Sequence, residues 1–254
     1  IQNYIAKNQQ NVSVYVENLR NGAFSGINEK TGFFPTSLNK LPVAILIMKK
    51  IENNELNFNT MLEIKDIDRT DSYGELYKIK EKELPLQIVL EALLKDSDNT
   101  AFRILLRQIS LGDLQLILDY YGLDINANLQ KKQSPDLITP KAMSNLYKSL
   151  YFSTVLEPES SEYLLGLMSY TVFDIKNLAN IPDEVRISHK FGENYNLGSF
   201  FHDCGIMYVD ETRIFYCIMT KDLDVEEAEE TVGVIVSEIY SYVRSEKAKL
   251  EAYK

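Results

Sequence analysis

Cysteine is scarce in this chain: Cys204 and Cys217 are the only two among 254 residues. Two are too few for a disulfide framework, and they form no C-x-x-C metal or redox motif, so the compartment is not legible from them. A tight turn at Asp210-Glu211 would place them opposite each other on a hairpin, within reach of a bridge. Buried free thiols are nevertheless the expectation, because cysteine behaves as a small hydrophobe. Long apolar runs are missing too, and none approaches the ~20 residues of a membrane span. No basic-then-apolar leader precedes Ile1, which would also hold if an export segment had been cut away. Basic charge is thin, with 27 Lys and Arg against 37 Asp and Glu and a formal net charge of -10. No basic stripe is dense enough for nucleic acid or an anionic membrane. A small anionic substrate stays compatible, since one or two lysines in a cleft set the local potential there.

What is present is an ordinary globular composition, 45% hydrophobic and 25% charged. The length allows a sizeable core in one large domain or two lobes. Val12 to Leu19 alternates apolar and polar residues, Asn21-Gly22 supplies a hairpin turn, and Ala23 to Ile27 resumes, which predicts two antiparallel strands. Ser37 to about Asn53 reads as a buried helix, with Pro42 tolerated near its start. From Leu84 to Ser149 helical spacing dominates, as in Leu86, Val89, Leu90 and Leu93. Thr139-Pro140 opens a further helix with a Thr cap and Pro at the first position. Strand character returns at Val185 to Lys190, Cys204 to Val209 and Arg213 to Thr220. A last helix runs from about Val225 to Lys249, acidic at its positive end. The pattern predicts a mixed α/β (α+β) fold. Residues 1–50 together with 182–254 form a sheet lobe flanked by terminal helices, 51–181 form an inserted all-helical lobe, and a site lies in the cleft between them.

Three short motifs carry chemistry. Ser37-Leu38-Asn39-Lys40 is a Ser-x-x-Lys at a helix start, where a spacing of three puts both side chains on one face and the lysine can take the serine proton. Alone it is weak, because serine is a common helix cap. Ser97-Asp98-Asn99 follows, in a run that otherwise reads as an ordinary break between helices. In a functional reading the Ser97 hydroxyl relays a proton to a leaving nitrogen, and Asn99 positions substrate and Lys40. Ser-x-x-Lys followed by Ser-Asp-Asn is the set of a penicillin-recognising enzyme. The third motif is Ser188-His189-Lys190-Phe191-Gly192-Glu193. On an extended strand Ser188, Lys190 and Gly192 share a face while His189 and Phe191 point away. Gly192 would let an acyl group lie close to the backbone, and the Glu193 N–H would be a second oxyanion donor beside that of Ser37.

With these residues in place, the chain resembles the class A serine β-lactamases, especially their divergent β-lactamase-like relatives, over nearly its whole length. The resemblance implies a β-lactamase/transpeptidase-like fold, a Ser37 nucleophile, and roles for Lys40, Ser97, Asn99 and Lys190. It implies Tyr73 as an aromatic wall of the cleft, although a plain surface tyrosine fits the sequence equally well. No cofactor or metal is implied. The implied partner is a β-lactam or a small substrate resembling a peptidoglycan stem, taken by a monomer outside the cytoplasm.

Two departures bear on function. Members of the family carry a Glu before the Thr-x-Pro helix start that activates the deacylating water. The stretch Leu123 to Pro140 has no Glu, only Asp124 and Asp136, and Asp136 looks like the residue that closes the loop. Phe191 stands where the family has a threonine that helps bind the substrate carboxylate, and no arginine is securely placed to compensate, Arg213 lying near a hairpin turn. A Ser-His-Asp hydrolase built on His202-Asp203 is the rival reading, disfavoured because no G-x-S-x-G elbow exists. Three functions stay open: a serine β-lactamase-like hydrolase with weak or slow hydrolysis, a penicillin-binding or D,D-peptidase-like acyltransferase, and a non-catalytic binding module.

Overall fold

A computed structural model describes residues 1–7, 9–128, 135–196 and 198–252, with side chains through residue 246. Helix α1 (Gln2–Ile5) leads into the hairpin of β1 (Val12–Asn18) and β2 (Phe24–Ile27), registered with Val14 opposite Ile27. A 3-10 turn, Thr36–Asn39, runs into α2 (Lys40–Glu52), then β3 (Met61–Glu63) and β4 (Glu83–Pro85). Next come α3 (Leu86–Lys95), α4 (Asn99–Leu106), α5 (Leu111–Tyr121), α6 (Pro140–Tyr151), α7 (Pro158–Leu167) and α8 (Ile175–Leu178). The chain ends with β5 (Arg186–Asn194), β6 (Phe200–Val209), β7 (Thr212–Thr220) and α9 (Val225–Ala252).

The large sheet has the order β2-β1-β7-β6-β5 and is antiparallel throughout. Because β1 pairs with β7, the first and last parts of the chain share one sheet, and residues between β2 and β5 leave it and return. The near-continuous apolar run of β7 follows from burial on both faces. Ile214, Tyr216 and Ile218 join Val12, Val14 and the α9 residues Val232, Ile235, Val236 and Ile239 in one core. Phe215, Cys217 and Met219 point the other way, into a second core with α2, α3, α6 and α7. The strand β5 closes one edge of the sheet, and that edge meets the 3-10 turn that holds Ser37.

Three expectations are corrected. The helix predicted from Ser37 starts instead as a 3-10 turn with the α-helix proper from Lys40, because Leu38 N–H bonds the Pro35 carbonyl in an i→i+3 pattern. The segment 51–181 is not all helix: β3 and β4 pair as a small separate sheet, with Leu62 opposite Leu84. Cys204 and Cys217 are bridged rather than free. The β6–β7 register sets them directly opposite, turning at Asp210-Glu211, so both sulfurs fall on one face of neighbouring strands.

Candidate active site

Ser37 is held by a backbone that has little freedom. Thr36, just before it, adopts a left-handed φ of 49°, a conformation costly for a β-branched residue. The following helix α2 buries Leu41, Val43, Ala44, Ile45 and Ile47 almost completely, so its first turn is fixed by packing on several sides. Lys40 opens that helix at 1% exposure and sets its Nζ 2.8 Å from Ser37 Oγ.

Ser97 stands in the turn between α3 and α4, also left-handed with φ 54°. Lys40 Nζ donates to the Ser97 carbonyl at 2.5 Å and lies 3.2 Å from its hydroxyl. Lys190 Nζ, fully buried on β5, donates to the same hydroxyl at 2.8 Å and to the Phe191 carbonyl at 2.9 Å. One serine hydroxyl thus bridges two lysines, and Ser37 lies at the end of the chain of contacts. Burial lowers Lys40 to about 7, against the opposing pull of Asp98. Burial lowers Lys190 well below the ordinary lysine value, with repulsion from Lys40 added and Asp203 and Glu193 opposing.

Asp98 escaped notice in the sequence except as part of its motif, yet it organises this turn. One carboxylate oxygen accepts the Ala101 N–H (2.8 Å) as the cap of α4, a role its position three residues earlier signals. The other accepts the Leu76 N–H (2.9 Å) and so ties the Tyr73 segment to the site. Gly74 makes this possible: its φ is 86°, and a Cβ there would fall 2.1 Å from the Asp98 carboxylate. Asn99 differs from expectation. Its side-chain amide donates to Ser72 Oγ (2.8 Å) and its N–H to the Tyr73 carbonyl (3.0 Å), while Ser97 is the residue that holds Lys40.

On β5 the His189 N–H leaves the sheet and bonds the Met168 carbonyl at 3.0 Å. Antiparallel alternation then directs the N–H groups of Phe191 and Glu193 to the same free edge. A Cβ on Gly192 would lie 2.1 Å from Thr36 Oγ1 and 2.8 Å from Ser37 N, so glycine is required by the approach of the Ser37 turn itself. Ser37 N–H belongs to the first turn of a helix, where no intrahelical acceptor exists. Two backbone donors, those of Ser37 and Glu193, are thereby brought to one corner. That arrangement suits an oxyanion.

The outer face of β5 is less simple than alternation predicts. His189 does turn away, its ring nitrogens 2.7 Å from Asp203 Oδ2 and 2.8 Å from Thr171 Oγ1, with Tyr216 donating to Asp203 Oδ1 at 2.6 Å. Phe191 does not leave the site. Its ring centre lies 4.4 Å from Lys190 Nζ, 5.9 Å from Tyr73 and 5.4 Å from Phe173. Tyr73 is therefore one of a pair of packed rings beside the lysines rather than a surface residue, and burial, with Glu193 adding, raises its hydroxyl to about 12. The His202-Asp203 pairing fails, since Asp203 serves His189. His202 is fully buried between the Phe201 and Phe34 carbonyls (2.7 and 2.9 Å), and burial lowers it to about 4 against those two bonds. Arg213 stacks on Tyr208 (5.1 Å) at the far end of the strands and donates to Asp210 O.

Asp136 Oδ1 accepts the Asn126 N–H at 3.1 Å, and Leu137 N–H bonds the Asp124 carbonyl at 2.7 Å, so these two residues pin the loop that precedes α6. They line a shallow hollow with Gln115, Ile125, Asn126 and Pro135, away from Ser37, Lys40 and Ser97. Residues 129–134 of that loop lie outside the described residues. Among the described residues no group of three or more His, Cys, Asp or Glu converges as a metal site, and no helix is long and apolar enough to cross a membrane.

A five-stranded antiparallel sheet meeting a helical layer, with a Ser-x-x-Lys turn at the sheet edge, defines a β-lactamase/transpeptidase-like protein. The chain matches the family model described as the Beta-lactamase enzyme family over residues 1–243, and it belongs to that family. It is similar to the β-lactamase VEB-1 of Pseudomonas aeruginosa, 24% identical over 271 residues, covering 98% of this chain and 87% of that protein. Among solved structures, the TLA-3 extended-spectrum β-lactamase superposes with a TM-score of 0.83 at 20% identity, over 95% of this chain and 98% of that one. A PBP-A mutant in acyl-enzyme complex with penicillin G superposes with a TM-score of 0.79 at 21% identity, over 95% and 97%. These likenesses agree on the fold.

Proposed function

We propose that the protein is a serine acyl-transfer hydrolase of the β-lactamase type, acylated at Ser37 and slow to release the acyl group. The observation that carries this reading is the Ser97 hydroxyl lying 2.8 Å from Lys190 Nζ and 3.2 Å from Lys40 Nζ, with Lys40 in turn 2.8 Å from Ser37 Oγ. A lysine near 7 is neutral in a large fraction of molecules at physiological pH and can take the Ser37 proton. Ser37 Oγ then attacks the substrate carbonyl, and the oxyanion rests on the N–H groups of Ser37 and Glu193. As the C–N bond breaks, the proton passes from Lys40 through the Ser97 hydroxyl to the leaving nitrogen, leaving an ester at Ser37 and a free amine. Lys190, donating to the Ser97 hydroxyl at 2.8 Å, keeps it oriented. Tyr73 walls the cleft, and Asn99 contributes through the Ser72–Tyr73 segment it anchors.

Release is the weak half. With no Glu in the stretch from Leu123 to Pro140 and Asp136 occupied by Asn126 N–H, no assigned base activates water. In this reading residues 1–50 with 182–254 are the sheet lobe, 51–181 the inserted lobe, and the protein acts as a monomer on small substrates without cofactor. The Cys204–Cys217 bridge supports placement outside the cytoplasm, where disulfides persist. Intact-mass measurement after exposure to penicillin G, and to a neutral activated ester, tests the assignment. A persistent adduct that is lost in Ser37→Ala is the expected result. No adduct with either reagent overturns the serine reading, and fast turnover without accumulation restores an efficient β-lactamase.

A further inference from the structure

The side chains of Phe191 and Glu193 are left over by the chemistry above, beside the Tyr73 wall. Phe191 and Glu193 are two residues apart on β5 and so project from the same face of the strand. Tyr73 packs its ring against Phe191 with a tilt of 60° between the planes. Glu193 is half-buried there, yet its carboxylate has neither a hydrogen bond nor an ion pair among the described residues, and this is an expensive state for an anion. Burial, with repulsion from Glu229, raises its pKa, while Lys190 opposes. Next along the same face, Tyr195 keeps a buried hydroxyl with no partner. Among the described residues no guanidinium is paired with Glu193. Arg186 is paired with Glu162, Arg107 with Asp68, and Arg213 is held at the distant hairpin.

The same corner is hostile to a carboxylate. Lys190 is 0% exposed, directs two of its donors to Ser97 and the Phe191 carbonyl, and has the Phe191 ring 4.4 Å away. An incoming anion would meet the unpaired Glu193 first. Phe191 is itself buried at 2% exposure and backs the partly exposed Tyr73 ring, and an aromatic ring beside a carboxylate is, by contrast, the pair of elements that attracts an alkylammonium ion. We propose that the corner formed by the Tyr73 ring and the Glu193 carboxylate, with Phe191 packed behind, receives a cationic group of the substrate, so that the site prefers acyl donors bearing an ammonium-type cation to those bearing a carboxylate. The inference rests on Ser37 being the nucleophile and names the substrate class for that same site.

The experiment uses three activated esters of one acyl skeleton that differ only in a trimethylammonium, a carboxylate or an uncharged group at one position. The rate of Ser37 adduct formation is measured by mass for each, in the unmodified protein and in Glu193→Gln and Glu193→Lys. Within each variant the ratio of the cationic to the anionic rate is the readout, so a general loss of activity does not disturb it. A ratio of about ten in the unmodified protein is expected, falling towards one in Glu193→Gln and below one in Glu193→Lys. A ratio of one or less in the unmodified protein, or one unchanged in both variants, overturns the inference while the neutral ester still labels Ser37. Failure of all three esters to label Ser37 overturns the serine reading and this inference with it.

Discussion

The residues around Ser37 and the described residues of the loop before α6 are built to different standards. On the acylating side Ser37, Lys40, Ser97 and Lys190 come from three separate segments, yet every polar atom that would move a proton lies within 3.2 Å of the next. Left-handed residues at 36 and 97, a lysine at 1% exposure and another at 0% are all unfavourable locally, and the dense core around α2 holds them in place. In the loop before α6, by contrast, the Asp136 carboxylate accepts the Asn126 N–H and Asp124 is bridged to Leu137 through its backbone. Strain and buried lysines are concentrated where bond making is proposed. In the proposed reading, acylation and release are separable in this fold, because the groups that would serve each come from different segments.

The contrast can be broken most severely at Lys40. Lys40→Met is expected to slow acylation by about 10³-fold or more, while removal of a buried amine leaves the melting temperature unchanged or higher. Stopped-flow acylation beside calorimetry checks both halves, and near-normal acylation would break the distinction drawn here. A smaller effect follows from pH. Acylation is expected to fall about tenfold per unit below the Lys40 value of about 7 and to level off above it, because only the neutral amine accepts the proton. The same group gives a stability trend with a fixed sign. Its folded value lies below the 10.5 of an exposed lysine, so the unfolded chain holds more protons in between and stability rises with pH through that window.

Gly192→Ala sharpens the geometric side. Its new methyl would press on Thr36 Oγ1 and Ser37 N, displacing the Ser37 turn from the β5 edge. A loss of about 1–3 kcal/mol in stability is expected from such overpacking, with acylation reduced by about tenfold or more as the donors separate. The smallest effect should come from the loop before α6. Asp136→Asn is expected to change deacylation by less than about twofold, because an amide oxygen still accepts the Asn126 N–H. A large drop in the decay of the acyl-enzyme would identify Asp136 as the missing base.

Much of this was legible in the chain. Alternation at Val12 to Leu19, the Asn21-Gly22 turn and the helical periodicity after Leu86 are local properties, and they gave most elements to within a few residues. The Ser-x-x-Lys and Ser-Asp-Asn motifs were legible because catalytic spacing and helix capping impose short-range patterns. The small β3–β4 sheet was missed, since three-residue strands carry too little period to detect. The double duty of Asp98, the transfer of Asn99 to Ser72 and the His189–Asp203 pairing depend on residues far apart in the chain, so no spacing announces them.

By itself the sequence determined which chemistry-bearing residues exist, that they lie on helix starts and a strand, and that no glutamate stands in the loop before α6. Only the tertiary structure decided that Ser97 links two buried lysines, that Cys204 and Cys217 are bridged, and that Phe191 packs beside Tyr73 while Glu193 has no hydrogen-bond partner among the described residues. The reason is physical. A side chain's identity and its period are local, whereas its partner, its burial and its charge state are set by whatever segment the sheet register and the packing of the helices bring against it.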